Sequence, residues 1–268
     1  IIYNIKKINK TNDWKFDANE SLIDKSMTAT LLHFLLYLSL FNLFILVAAP
    51  LCRLYLDING LLAFRVMLFA MLTGLLFAIV TLVIVILSMI KGTALNGKYC
   101  MVIMLLGLFP FVIAILSIGI DSIRRPLVHD ISTDTTNPPN FQEVRNLRTP
   151  EHNSPEYVGP TLASIQQKEY PQIKPIITSL NRADALVEAA QVVKDLQWEF
   201  INIDYDNGII EAYDTSQLFG FVDDIIIRVR KENQGSRIDI RSASRVGKGD
   251  LGKNAERIQQ FIDTFRDS

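Results

Sequence analysis

Val66-Met-Leu-Phe-Ala-Met-Leu-Thr-Gly-Leu-Leu-Phe-Ala-Ile-Val-Thr-Leu-Val-Ile-Val-Ile-Leu-Ser-Met-Ile90 contains no charged residue. At about 1.5 Å of rise per residue, such a run crosses the roughly 30 Å hydrocarbon layer of a bilayer as one helix. A buried helix of a soluble protein would show a polar face at helical spacing, and this run has none. Working outward, Ala29 to Ala49 is a second apolar run, broken by His33, Ser39 and Asn42, and Pro50 is expected to end it. Tyr99 to Ile120 is a third, with Pro110 in its interior, which a membrane helix tolerates when neighbours satisfy the freed carbonyl. Three spans are therefore predicted. Between Ala29 and Ile120 the ionisable side chains other than Cys and Tyr are His33, Arg53, Asp57, Arg65, Lys91 and Lys98, whereas charge is dense from Asp121 onward. Two solvents are implied.

The organisation that follows is a polar tail (1–28), a three-helix membrane region (29–120), a Pro-rich linker (121–160) and a soluble α+β domain (161–268). Ile1 to Lys25 has mixed charge and reads as a cytoplasmic tail, with Met27 as an alternative start. No A-x-A-like site followed by a soluble domain succeeds the first run, so a cleaved signal peptide is a poor reading. Cys52 and Cys100 fall at ends of apolar runs and on opposite membrane surfaces, too far apart for bridged Cα atoms within about 7 Å, and read as packing residues. The flanking charges tie, Lys15, Lys25, Lys91 and Lys98 against Arg53, Arg65, Arg124 and Arg125, so the positive-inside rule gives no orientation. A net charge of −1 over 268 residues argues against nucleic-acid binding by bulk electrostatics. Transport would require ionisable groups facing each other in mid-membrane. The polar residues of the spans are His33, Asn42, Thr73 and Ser88 instead, and His33, near a helix end, is expected to make an interfacial or interhelix hydrogen bond.

Six of the ten prolines lie between Pro126 and Pro160, which predicts an extended, loop-like segment draped over the domain or leading to it. Asp130 and Asp134 in it could offer oxygens to a hard cation, but the spacing matches no calcium loop, and Asx turns and local caps are preferred. Beyond Pro175 the chain becomes periodic. Asn181 is a candidate N-cap, and Ala185, Leu186, Ala189, Val192, Val193 and Leu196 predict an amphipathic helix ending near Gln197. The period then changes to two. Trp198 to Asp204 and Ile209 to Thr215 form a hairpin around Asn207-Gly208, followed by strands over about Phe219 to Arg230 and Arg237 to Arg245. Pairing Val229 with Ile238 puts Ile225, Ile227, Val229, Ile238 and Ile240 on one face and sets Arg228 opposite Asp239 on the other. A last helix, Leu251 to Phe265, covers the apolar face. The fold class is membrane α-helical, three spans, plus soluble α+β, an antiparallel four-stranded sheet covered by helices.

Asp223, Asp224, Arg228, Arg241, Ser242, Ser244, Arg245, Asp250, Asn254 and Arg257 form the densest polar cluster. Asp223 falls on the apolar side of the alternation, so a partner such as Arg245 or Arg257 is expected. One reading is a salt-bridged lattice tying the last helix to the sheet. The other is a pocket in which Arg241, Arg245 and Arg257 converge on a carboxylate or phosphate near the amino end of that helix. Catalysis is less favoured: Ser242 and Ser244 have no His within the periodic region to activate them, and adjacent Asp223 and Asp224 point to opposite faces of a strand. Cys/His metal spacing, a P-loop and a dinucleotide glycine fingerprint are absent, so neither metal nor cofactor is expected.

Gly208-Ile-Ile-Glu-Ala-Tyr213, Gly220-Phe-Val-Asp-Asp-Ile-Ile-Ile-Arg228 and Ile238 through Arg257, with Asp130-Ile-Ser-Thr-Asp134 and Tyr170-Pro171, resemble the signature of the domain-of-unknown-function family DUF1499 over roughly Asp130 to Phe265. The resemblance transfers no activity. It does imply a location, since members often look like lipid-anchored exported proteins: the domain outside the cytoplasmic membrane, in the bacterial periplasm, with the amino terminus inside. The expected function is a membrane-tethered envelope module, with the lipid bilayer and an envelope protein or an anionic ligand, a headgroup or glycan, as partners. Its rival is an exported hydrolase using the Asp/Arg/Ser cluster.

Overall fold

The computed structural model describes residues 2–119, 122 and 124–268, except for the side chains of 2–25, 117 and 118. The expected boundary at Ile120 and Asp121 and the side chains of the polar tail up to Lys25 lie outside the described residues. The chain forms two compact units, Ile1–Ser117 and Ile118–Ser268.

The first unit contains α1 (Ile2–Leu56), α2 (Gly60–Lys91) and α3 (Gly97–Ile118). Within them Ser26–Leu56, Gly60–Lys91 and Gly97–Leu116 are each long and apolar enough to cross a membrane. Pro50 does not end the first helix as the sequence suggested. It lies inside α1, where its ring nitrogen forfeits one bond to the Leu46 carbonyl and the remaining ladder carries on to Leu56. The actual stop is Asp57, whose φ of 50° turns the chain and whose carboxylate pairs with Arg53 at 2.7 Å. Asn59 then caps α2 by accepting the Leu62 amide.

Packing in this unit inverts that of a soluble protein. The buried face of α2 is made of Ala63, Ala70, Gly74, Ala78, Thr81 and Ser88, while Phe44, Phe69 and Leu116 point outward. Small residues let helix backbones approach closely, which is how helices associate when lipid is as apolar as leucine. A Cβ on Gly107 of α3 would stand 2.3 Å from the Gly74 carbonyl oxygen of α2, so Gly107 is required at this crossing, while a Cβ on Gly74 would meet Asn42 Nδ2 at 3.0 Å. Asn42 joins α1 to α2 by donating to the Ala70 carbonyl at 2.7 Å and accepting from the Thr73 hydroxyl at 2.9 Å. His33 meets the Tyr99 ring edge-on, with centroids 4.9 Å apart.

The second unit is built on an antiparallel sheet. Its strands are β1 (Asp130–Ser132), β2 (Ile176–Thr178), β3 (Glu199–Asp204), β4 (Ile209–Thr215), β5 (Val222–Glu232) and β6 (Gly235–Ser244), in the order β1-β6-β5-β4-β3 with β2 also on β6. Val229 pairs with Ile238 and Arg228 with Asp239, the register read from alternation. The strand number, however, is six rather than four. β1 and β2 have three residues each, too few to show a period of two, and both add to the outer edge of β6, β1 beside Arg241 to Ala243 and β2 beside Ser236 to Ile238. They close an edge that would otherwise be open to pairing with other chains.

Its helices include α4 (Val144–Leu147), α5 (Pro160–Glu169), α6 (Arg182–Asp195) and α7 (Lys253–Asp267). Asn181 caps α6 by accepting the amides of Ala183 and Asp184 at 3.0 Å each. One sheet face, with Ile225, Ile227, Val229, Ile238 and Ile240, is buried with Leu186 and Val193 of α6 and Ile258, Phe261 and Phe265 of α7. The opposite face is also covered. There Phe141 and Val144 of the Pro-rich segment pack on Ile209, Ile226 and Ala243. The same segment is fastened at β1 by Gln166 of α5, whose side-chain amide accepts the Ser132 N–H at 2.9 Å and donates to the Ser132 carbonyl at 2.6 Å, imitating a strand neighbour.

Candidate functional site

Alternation along β5 and β6 divides the ten cluster residues between the two faces. Asp223, Ser242 and Ser244 point to the helix-covered side and meet Asp250, Asn254 and Arg257. Asp224, Arg228, Arg241 and Arg245 point to the side covered by the Pro-rich segment.

On the helix side the organising residue is the fully buried Asn254. Its Oδ1 accepts from Ser242 Oγ at 2.6 Å and Arg257 Nη1 at 2.9 Å, and its Nδ2 donates to Ser244 Oγ at 2.9 Å and the His129 carbonyl at 3.1 Å. Arg257 continues to Asp214 and Asp223, each at 2.8 Å, so Asp223 has one of the two partners its position demanded. Asp250 accepts the amides of Gly252 and Asn254 at 2.7 Å each. An anion was expected at the amino end of the last helix, and an internal carboxylate sits there. Burial pushes its pKa up, and nearby Asp223 adds to the rise.

Among the described residues the cluster members on the other side fall into three ion-pair groups. The first is Arg241, fully buried, which grips Asp130 through Nε at 2.9 Å and Nη2 at 2.8 Å and donates to the carbonyls of Pro139 and Pro155. Its guanidinium lies 4.7 Å from the Phe141 centroid and 5.4 Å from that of Tyr157, whose phenol pKa is pushed up to about 12 by burial and then by Asp130. The second is Asp224, also fully buried, between Arg148 at 2.8 Å and Arg245 at 2.7 Å. In the third, Asp239 accepts from Arg228, Arg230 and Arg237, while Asp134 sits 3.1 Å from Arg237 and accepts the amides of Thr136 and Asn137 in an Asx turn. The two aspartates with cation-binding potential, Asp130 and Asp134, are thus arginine partners.

Several members were not marked by the sequence. Arg148 lies 76 residues from Asp224 in an aperiodic segment and carried no signal. Glu211 is fully buried and accepts the amides of Gln142 and Glu143 at 2.7 Å each, at the start of α4, and burial raises its pKa. Its signal was available: it faces the second side in β4, where a lone carboxylate demands partners. Asp214 carried a weaker form of the same signal.

The arrangement holds charge in place and offers little for bond-breaking. Among the described residues the hydroxyls of Ser242 and Ser244 meet Asn254 and Arg257, and neither meets a His side chain. His152 Nδ1 accepts the Thr149 amide instead. A family profile described as protein of unknown function (DUF1499) matches residues 130–265, half of the chain. No curated protein matches.

Proposed function

Because the chain belongs to the DUF1499 family of proteins of unknown function, we propose that it is a membrane-tethered, non-enzymatic envelope module. Three spans hold it in the cytoplasmic membrane, and its α+β domain, on the periplasmic side, binds a protein partner or an anionic ligand. The observation that carries this reading is the internal pairing of the charges: Arg241, Asp224, Asp239 and Arg257 are buried and matched within the domain, and among the described residues no serine hydroxyl of the cluster is joined to a His side chain. A nucleophilic active site would join one of these groups to a hydroxyl through a base. A lattice of this kind instead fixes the surface above it.

Of the ten cluster residues, Arg245 and Arg228 are the arginines that keep partial exposure, and Arg245 lies beside the Tyr213 ring while it holds Asp224. The test uses the full chain extracted with its surrounding lipid. Arg245→Ala should lose a copurifying partner or anionic ligand with a smaller fall in the thermal transition than Arg241→Ala, because Arg148 still pairs with Asp224. Hydrolytic activity abolished by Ser242→Ala would overturn the proposal in favour of an enzyme.

A further inference from the structure

Antiparallel pairing brings three loops to one end of the sheet. β5 begins where β6 ends, with Asp223 opposite Ser244, so the β4–β5 loop (216–221) and the loop after β6 (245–252) share that end. The strand leading from the membrane unit joins them, because the His129 carbonyl accepts the Ser244 amide and the Val128 carbonyl accepts the Asp250 amide. Arg125 donates to the Leu251 carbonyl at 3.3 Å, and a Cβ on Gly249 would lie 2.9 Å from the Leu127 side chain. The segments are pressed together.

Each of these loops exposes a leucine: Leu127 is 75%, Leu218 46% and Leu251 42% exposed. Leu251 is the most telling. It has φ of 58°, a left-handed conformation that glycine adopts freely and a side chain with a Cβ resists, so the position carries an apolar side chain against both backbone preference and water. Lys248 and Lys253, close to it in sequence, and Arg124, next to the Arg125 that reaches its carbonyl, are exposed, and Lys253 pairs with Glu256 at the surface at 2.8 Å. Covalent geometry says what lies close by. Eight residues, 119–126, lie between Ile118, the end of α3, and Leu127, and the nine steps from one to the other reach at most about 30 Å. That reach is short enough for this end of the domain to touch the surface of a bilayer crossed by α3.

We propose that it is a membrane-contact face: Leu127, Leu218 and Leu251 enter the interfacial layer, and Arg124, Lys248 and Lys253 meet anionic headgroups. Apolar tips ringed by basic side chains bind such surfaces by burial and charge together. The inference rests on the tethered reading above and goes further by fixing which surface the tether presents to lipid.

The test uses the full chain with Cys52 and Cys100 replaced by Ala and one cysteine introduced for an environment-sensitive fluorophore, reconstituted in phosphatidylcholine vesicles with or without phosphatidylglycerol. Labels on Leu251→Cys and Leu218→Cys should shift to the blue and become accessible to lipid-borne quencher, more strongly with phosphatidylglycerol. Tyr205→Cys, on the turn at the opposite end of the sheet, should remain water-like. Lys248→Glu combined with Lys253→Glu should abolish the phosphatidylglycerol dependence. Labels at positions 251 and 218 as wet as that at 205 in both vesicles would overturn the proposal, as would burial seen only in native membranes, which would mean a protein covers this face. A chain that fails to float with the vesicles would instead refute the tethered reading itself.

Discussion

The two faces of the sheet are covered in different ways. Against the helix-covered face, α6 and α7 lay apolar stripes on Ile225, Ile227, Val229, Ile238 and Ile240, and burial of that surface is the ordinary hydrophobic term of about 25 cal/mol per Å². The other face is covered by a segment with little regular structure, which brings few apolar groups beyond Phe141 and Val144 and is fastened by arginine–carboxylate pairs. A helix satisfies its own backbone and needs only a stripe. An irregular segment leaves carbonyls unmatched, and here guanidinium groups take them up: Arg241 binds the carbonyls of Pro139 and Pro155, and Arg148 those of Asn153 and Ser154 while it also reaches the Ala243 carbonyl of β6. Arginine suits this work because its five donors are fixed in a planar fork.

The comparison predicts unequal responses to mutation. The largest effect is expected from Asp224→Ala, which strands Arg148 and Arg245 on the loop-covered face. Breaking a buried pair in this way costs about 3–5 kcal/mol, visible as a marked fall in the thermal transition of the domain in the detergent-solubilised full chain. Ile227→Val on the helix-covered face removes one methylene and should cost only about 0.5–1.5 kcal/mol. Similar losses from the two substitutions would erase the distinction.

The smallest effect concerns pH. Burial, then Arg245 and Arg148, lower the His152 pKa, so the folded domain favours the neutral ring. The unfolded chain then binds more protons just below the ordinary value of about 6.5, and stability present above that value is lost as pH falls through the lowered one. His152→Asn should flatten the decline between about pH 7 and pH 5, measured by thermal melts across that range.

Legibility in the sequence follows the same divide. The spans could be read from length and lack of charge, the helix after Asn181 from its cap and its spacing, and β4 over Ile209–Thr215 and the Val229–Ile238 register from a period of two. Pro50 misled because a proline signals a break only where the rest of the ladder cannot continue. β1 and β2 escaped because three residues have no measurable period. The cluster was legible as a set of residues and not as an arrangement: alternation places Asp223 and Asp224 on opposite faces, yet nothing in the sequence sets Arg148 against Asp224 or Asp130 under Arg241. Those pairs span 76 and 111 residues and exist only once an aperiodic segment has been folded over the sheet.

The claim that this polar lattice is a structural fastening is tested most directly by a double-mutant cycle on the Arg241–Asp130 pair, using Arg241→Met and Asp130→Leu in the full chain. Each single change should destabilise the domain by about 3–5 kcal/mol, because it leaves one charge buried alone, and the double change should recover much of that loss. Additive losses, or single variants as stable as the parent, would contradict the account.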